Sequence, residues 1–440
     1  MIIQKFGGTS VGDASRIKHV AQLIQQGEQK IVVLSAVSGT TNKLVSITQA
    51  LYKSDKALVR ALIEELKAKH DEILEELFNT EEYKQKARAL TETHWSRINA
   101  YTLDMFTKYE ERAVLAQGEL ISTAFLQLFL EESGVRSALL SALDFMRIDQ
   151  QNEPDTWYIK SSLERLMAAH SDTDILITQG YICRNHFGEI DNLKRGGSDY
   201  SASIIGVAVN ATEVQIWTDI DGMHNNDPRV VKHTKPIKKL TFDEAAELAY
   251  FGAKILHPTS ILPARKAGIK VVLKNTLDAS KEGTVISNDF SGNTLKAVAA
   301  KDGITAIKIK SDRMLLAYGF LRKIFEVFER HEISIDMITT SEVAVSLTVD
   351  TTIDLSALVK DLEQYGQVEI DSDNTIVSVV GHLIQEDEGQ AAKIFGALKK
   401  VPVRMISYGG SRNNISFLVK STNKQMALEA LNVGLFEMES

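Results

Sequence analysis

Lys5 closes the apolar stretch Met1–Phe6 and is followed by Gly7, Gly8, Thr9 and Ser10. Two glycines let backbone N–H groups approach a ligand closely, a following helix start favours an anion, and a lysine is a compact cation suited to phosphate. A Gly-Gly turn beside a surface lysine would read the same way. A second loop, Arg195-Gly196-Gly197-Ser198-Asp199, repeats the glycine pair ahead of a tightly packed helical stretch, Tyr200–Val209, and adds a guanidinium able to grip a carboxylate with two hydrogen bonds. The third, Trp217-Thr218-Asp219-Ile220-Asp221-Gly222 with Asn226-Asp227-Pro228-Arg229, gathers carboxylates and an arginine. It is either an Asx-rich turn or a place for Mg²⁺, ribose hydroxyls or phosphates. The fourth, Phe251–Pro258, carries Lys254, either complementing a helix C-terminus or facing a phosphate. Glu119, after Gly118 at a helix start, either suits the helix dipole or partners a substrate ammonium. Cations at glycine-rich loops of a chain whose net charge is −8 focus on an anionic ligand. Phosphoryl transfer needs little beyond such positioning, cations and preorganised N–H donors.

These loops need parallel strands behind them, since open α/β sheets bind ligands at strand C-termini. The chain supplies them. Met1–Phe6, Lys30–Ala36, Ile175–Thr178, Val214–Trp217 and Val271–Asn275 read as strands; Ala14–Gln26, Leu44–Leu51 and Phe242–Ala253 read as helices. Residues 54–112 interrupt the alternation with a Glu/Lys/Ala/Leu-rich helical insertion, Leu58, Leu62, Leu66, Ile73 and Leu77 marking its apolar face. The last third holds a repeat. Ile333–Thr339 aligns with Val401–Ser407 and Val345–Val349 with Ile415–Val419, each after an amphipathic helix (319–331 and 389–400). A boundary is expected near Ser287–Leu295.

Composition narrows the rest. The 440 residues are 44% hydrophobic and 25% charged, which is globular rather than disordered. The acidic balance gives no footprint for nucleic acid or a membrane surface. Cys183 alone excludes a disulfide framework. No apolar run reaches the ~20 residues of a membrane helix and no signal peptide is read, so the expected location is the cytoplasm. P-loop, Gly-x-Gly-x-x-Gly and His-Glu-x-x-His motifs are missing from the sequence.

Taken in order, Lys5–Val11, Arg195–Asp199, Trp217–Gly222 with Asp227-Pro228-Arg229, and Glu247–Pro258 resemble the motifs of aspartate kinases, across essentially the whole chain. Ile338–Val343 and Asn414–Phe417 resemble the paired ACT regulatory domains of that family. The resemblance implies an α/β amino-acid kinase sandwich with a mainly parallel sheet over 1–290, then two α+β ACT domains, 301–370 and 371–440, the second borrowing a strand from 295–300. It implies transfer of phosphate from ATP, with Mg²⁺, to the β-carboxylate of L-aspartate, giving 4-phospho-L-aspartate. Residue by residue, it implies Lys5 and Asp199 as catalytic; Thr41, Glu119, Arg195, Gly196, Gly197 and Ser198 as aspartate-binding; and Lys5, Gly7, Gly8, Ser10, Thr218, Asp219, His224, Arg229, Lys254 and Ile255 as nucleotide-binding. The insertion resembles that of the lysine-sensitive class, which implies a feedback site for L-lysine at Met314, Phe320, Leu321, Ser334, Ile335, Asp336, Ser341 and Glu342. It also implies a homodimer through the ACT domains, or a tetramer. Two departures stand out: His224 replaces a tyrosine, and Ala317 a serine. Two other readings remain: an amino-acid sensor whose kinase half no longer turns over, and a kinase of another amino acid such as glutamate.

Overall fold

The computed structural model describes residues 1–193, 196–252, 256–289, 295–311, 318–351, 354–382 and 388–437. Its contacts divide the chain into two units, Met1–Met223 with Ile255–Asp289, and His224–Lys254 with Phe290–Ser440. The contacts divide at 289/290, and in addition they set 224–254 apart from the rest of the first 290 residues. Val231 packs among Val377, Val379 and Leu428, and the Asn226 side-chain amide donates to the Leu428 carbonyl at 3.0 Å, so this stretch belongs with the C-terminal half of the chain.

The first unit is built on a mainly parallel sheet. Its strands run in the order Ala138–Leu140, Ile175–Gln179, Lys30–Leu34, Ile2–Phe6, Glu213–Thr218, Lys270–Asn275 and Thr284–Ser287, the last pairing antiparallel. Lys30–Leu34 and Ile175–Gln179 are buried at every position, which is why they read as unbroken apolar runs rather than alternating ones. Lys30 is the exception in type. Its ammonium is buried and donates to the Ile24 carbonyl at 2.8 Å and to that of Gln26, closing the end of helix Ala14–Ile24; burial pushes its pKa down.

The insertion is a hairpin of helices Lys56–Leu77 and Glu81–Ala100. Leu62, Leu66, Ile73 and Leu77 are buried as the periodicity requires, but Leu58 is exposed and Val59 takes its place. The charged face carries ion pairs such as Lys67–Glu92 at 2.7 Å and Lys84–Glu75 at 3.0 Å. Helices Lys108–Leu115 and Gln117–Glu132 run on into a stretch long and apolar enough to cross a bilayer. Here Phe125, Leu126 and Leu130 pack it largely inside the core instead.

In the second unit, six antiparallel strands lie in the order Ile338–Thr340, Ala344–Asp350, Leu295–Lys310, Gln367–Gly381, Asn414–Lys420 and Val403–Ser407. The repeat is visible as a sheet whose two ends mirror each other. Two separate cores lie against it: Ile307, Ile324, Phe328, Leu347 and Leu358 on one half, Val377, Ile394, Phe417 and Leu428 on the other. Leu295–Lys301 pairs with Ile376–Gly381, the strand that the sequence expects from 295–300.

Candidate active site

The site gathers at the C-terminal ends of the parallel strands. In register, Phe6 lies beside Leu34 and Trp217, and Leu34 beside Gln179, so the loops after four strands open on the same edge of the sheet. Lys5 Nζ lies 2.6 Å from Asp199 Oδ1, both side chains largely shielded. Asp199 sits in the first turn of helix Gly197–Ala208. The turn that launches this helix needs glycine: Gly196 has φ 69° and a Cβ there would come within 2.3 Å of Ser260 Cβ.

Gly8 passes close to the next loop. A Cβ on it would sit 2.8 Å from the Ala36 carbonyl oxygen, while its own carbonyl accepts from Ser38 N at 3.2 Å. Gly7 N donates to Trp217 O at 3.3 Å. Ser10 is buried, its hydroxyl 2.7 Å from that of Thr276, whose backbone N–H donates to Thr218 O. Thr218 Oγ1 donates to Asp219 Oδ1 at 3.1 Å, at the exposed strand end. Thr41 is in the first turn of helix Thr40–Tyr52.

Glu119 is the site's most perturbed group. It lies in the first turn of helix Gln117–Glu132 and is only 3% exposed. Oε1 accepts from Ala36 N at 3.2 Å; Oε2 is buried without a hydrogen-bond partner among the described residues. Burial pushes its pKa up to about 8, against the opposing pull of the Ala36 N–H and the Lys5 charge. The close fit is set by Gly118, where a Cβ would meet Ala36 Cβ at 2.7 Å. A nearly dry carboxyl with an unpartnered oxygen is a receptor for a cation.

Several contributors escaped the sequence. Ser35 Oγ donates to Ser198 Oγ at 2.9 Å, and Ser122 Oγ to Ser35 O at 2.8 Å, lining the floor with hydroxyls. Tyr181 adopts φ 67°, its N–H held by Ser201 Oγ at 2.8 Å, and burial with the nearby Glu119 raises its phenol to about 12. From the insertion, Lys69 Nζ donates to Ser38 O at the turn before Thr41, so that helix does more than present a solvated face. The positive φ at Tyr181 and the Lys69 contact leave no signature in spacing.

Some predicted residues lie elsewhere. Arg195, Lys254, Ile255 and Met314, with the Ala317 departure, fall outside the described residues. His224 and Arg229 belong to the second unit. His224 Nδ1 is 2.9 Å from Thr234 Oγ1. Arg229, 80% exposed, forks onto its neighbour Asp227 with two 2.9 Å hydrogen bonds, which hold the Asp227 carboxyl below its usual range. His257 Nδ1 caps the short helix Pro258–Ile261 through Thr259, a structural role.

Around the second-unit residues, Phe320 is buried, Leu321, Ser334, Ser341 and Glu342 are exposed, and Ile335 is half-buried. The Ser341 N–H donates to Ala344 O at 2.8 Å. Asp336 is not open: both carboxylate oxygens lie 3.0 Å from Lys301 Nζ, and Oδ1 also accepts from the Tyr250 hydroxyl. Asp336 therefore presents no bare carboxylate.

Comparison with known proteins fits this geometry. The amino acid kinase family model matches residues 1–275 and an ACT domain model matches 377–434. Lysine-sensitive aspartokinase 3 of Escherichia coli (strain K12) is 33% identical over 450 residues, covering 99% of both chains. The chloroplastic aspartokinase 2 of Arabidopsis thaliana is 34% identical, covering 99% of this chain and 84% of that one. Crystal structures of E. coli aspartokinase III superpose with TM-scores of 0.83, in complex with aspartate and ADP (R-state), and 0.85, in complex with lysine and aspartate (T-state). Both are 32% identical; each comparison covers 99% of this chain, and 100% and 99% of those chains respectively.

Proposed function

Because the chain belongs to the aspartokinase family, we propose that the pocket of Lys5, Glu119 and Asp199 transfers the γ-phosphoryl group of ATP to the β-carboxylate of L-aspartate. The product, 4-phospho-L-aspartate, opens the synthesis of lysine, threonine and methionine. The observation that carries this reading is Glu119, a nearly dry carboxyl with one buried, unpartnered oxygen, beside a lysine held 2.6 Å from Asp199. Such a pocket suits a zwitterion whose ammonium goes to Glu119 while its side-chain carboxylate meets a phosphate beside Lys5.

The chemistry asks little of a base. A β-carboxylate is already ionised at neutral pH, so no proton need be removed before it attacks. The obstacle is bringing two anions together. Lys5 supplies the cation, Asp199 fixes its position, and the loop at Gly8 with the N-terminal turn of helix Gly197–Ala208 supplies N–H donors. Thr41 and Ser198 hold the substrate's polar groups, with Arg195 on its α-carboxylate; Ser10, Thr218 and Asp219 serve the nucleotide. Phosphoryl transfer from ATP calls for Mg²⁺. When bound, the ion neutralises phosphate charge.

The test is formation of acyl phosphate from ATP and L-aspartate, trapped with hydroxylamine. Turnover with aspartate and none with glutamate is expected; ATP binding without turnover would instead indicate a sensor. Gly8→Ala is expected to raise KM for ATP about tenfold, because the new methyl, 2.8 Å from the Ala36 carbonyl, pushes the two loops apart. An unchanged KM would remove Gly8 from the nucleotide loop.

We further propose L-lysine as the feedback ligand of the second unit, at Phe320, Leu321, Ser334, Ile335, Asp336, Ser341 and Glu342. The similarity to a lysine-sensitive relative supports it. A homodimer is proposed through the edge strand Ile338–Thr340, whose exposed Ile338 and the nearby Val343 suit pairing with a second copy.

A further inference from the structure

The Asp336 side chain is 4% exposed, and the chain itself already satisfies it. Lys301 Nζ sits 3.0 Å from both its oxygens and 3.0 Å from Asp350 Oδ1. The Tyr250 hydroxyl donates to Oδ1, and the Lys301 ammonium lies 5.1 Å from the centre of the Tyr250 ring. A ligand ammonium cannot be added to this arrangement as a further partner, because the carboxylate has almost no open surface.

Tyr250 is the last residue of helix Phe242–Tyr250. One turn earlier on that helix, Glu247 accepts from Ser411 Oγ at 2.6 Å and from Asn414 Nδ2. Just past it, Gly252, at φ 122°, packs so close that a Cβ would lie 2.1 Å from the Ala300 carbonyl oxygen, next to Lys301. The helix is therefore bonded to both repeats at once: to the second through Glu247, to the first through Tyr250. Its C-terminal end runs directly into the Phe251–Pro258 motif.

We infer that Lys301 and Tyr250 are built-in occupants of the Asp336 carboxylate, that an amino-acid effector binds by displacing them with its own ammonium, and that release of Tyr250 is how the helix Phe242–Tyr250 senses the effector. The inference rests on the effector reading above. Lys301 is then a residue that sets effector affinity, and Tyr250 a positioning residue that couples effector binding to turnover. Neither touches substrate. The burial of the Tyr250 hydroxyl and its bond to Asp336, which together push its pKa up, agree with a firmly held contact.

The experiment uses the full-length protein and L-lysine, with binding measured by equilibrium dialysis and inhibition by hydroxylamine-trapped turnover. Lys301→Met removes the competing ammonium and is expected to tighten lysine binding about tenfold, with basal kcat unchanged. Lys301→Arg keeps the cation and should bind lysine like the wild type. A merely structural role for Lys301 predicts the opposite, weaker binding in the methionine variant. Tyr250→Phe should bind lysine at least as tightly as the wild type. The factor by which lysine and substrates weaken each other's binding should nevertheless fall about tenfold toward one, since coupling is reciprocal. Should Lys301→Met not fold, the conservative Tyr250→Phe carries the test. Equal or weaker lysine binding in Lys301→Met, or full coupling in Tyr250→Phe, overturns the inference while leaving the effector assignment standing. A wild-type protein that binds no lysine at millimolar concentration overturns both.

Discussion

Lys5→Met is expected to lower kcat by about three orders of magnitude while leaving the fold intact. The reason is twofold. The substitution removes the cation that meets charge on the transferring group, and it leaves Asp199, now unpaired, facing the incoming phosphates from 2.6 Å beyond the lost ammonium. Asp199→Asn should cost less, about ten- to a hundredfold, because it loosens Lys5 without deleting it. Lys5→Arg should rescue only partly, a planar fork being a poor replacement for a compact ammonium. Steady-state kinetics and a thermal melt separate the cases. A Lys5→Met kcat within threefold of wild type would take Lys5 out of the reaction.

The second large effect concerns aspartate recognition. With its pKa pushed up to about 8, Glu119 is about nine-tenths protonated at pH 7 in the empty pocket. A bound ammonium favours the carboxylate, so binding must expel a proton. Aspartate affinity should therefore rise with pH between about 6 and 8, by up to one log unit per pH unit, and level off above. Titration calorimetry in buffers of different ionisation heat reads the released proton directly. Glu119→Gln should abolish that release and raise KM for aspartate about a hundredfold, through loss of a buried charge pair. Stability gives an independent check. The folded pKa lies above the ordinary 4.5, so the folded protein takes up a proton between those values. The group's contribution is most favourable below pH 4.5 and is lost as pH rises through 8. Glu119→Gln should thus melt higher than wild type at pH 8 and gain little at pH 5. Buffer-independent binding heats would show that Glu119 is already ionised.

Much of this was legible because local chemistry and global position coincide. The apolar run ending in Lys5, the glycine pairs and the glycine before Glu119 mark strand ends and helix starts, and a parallel sheet puts such points on one edge. Type and place could be read there; environment could not. The burial of Glu119 depends on Ala36, over eighty positions away, and the Ser10–Thr276 contact spans 266. Leu58 fits the helical period as well as Val59 does, and only the packing of the hairpin decides between them. Likewise an acidic pair at 336 and 342 suggests an open cation site until Lys301 and Tyr250, from distant segments, are seen to fill half of it.

The two long strands of the C-terminal sheet have a consequence for how the protein is made. Leu295–Lys301 pairs with Ile376–Gly381, whereas Ile304–Lys310 finds its strand partners within residues 344–374. On a chain leaving the ribosome, the half of the sheet built on Ile304–Lys310 can close as soon as residue 374 has emerged. The adjoining stretch 295–301, continuous with it, must then wait without its strand partner until residue 381 follows, and the strand beyond that partner, 414–420, comes later still. Such an edge is a template for the wrong strand, including the same segment of a nascent neighbour. Its Lys296 and Lys301, charged residues on an otherwise apolar run, are what keep it soluble during the wait.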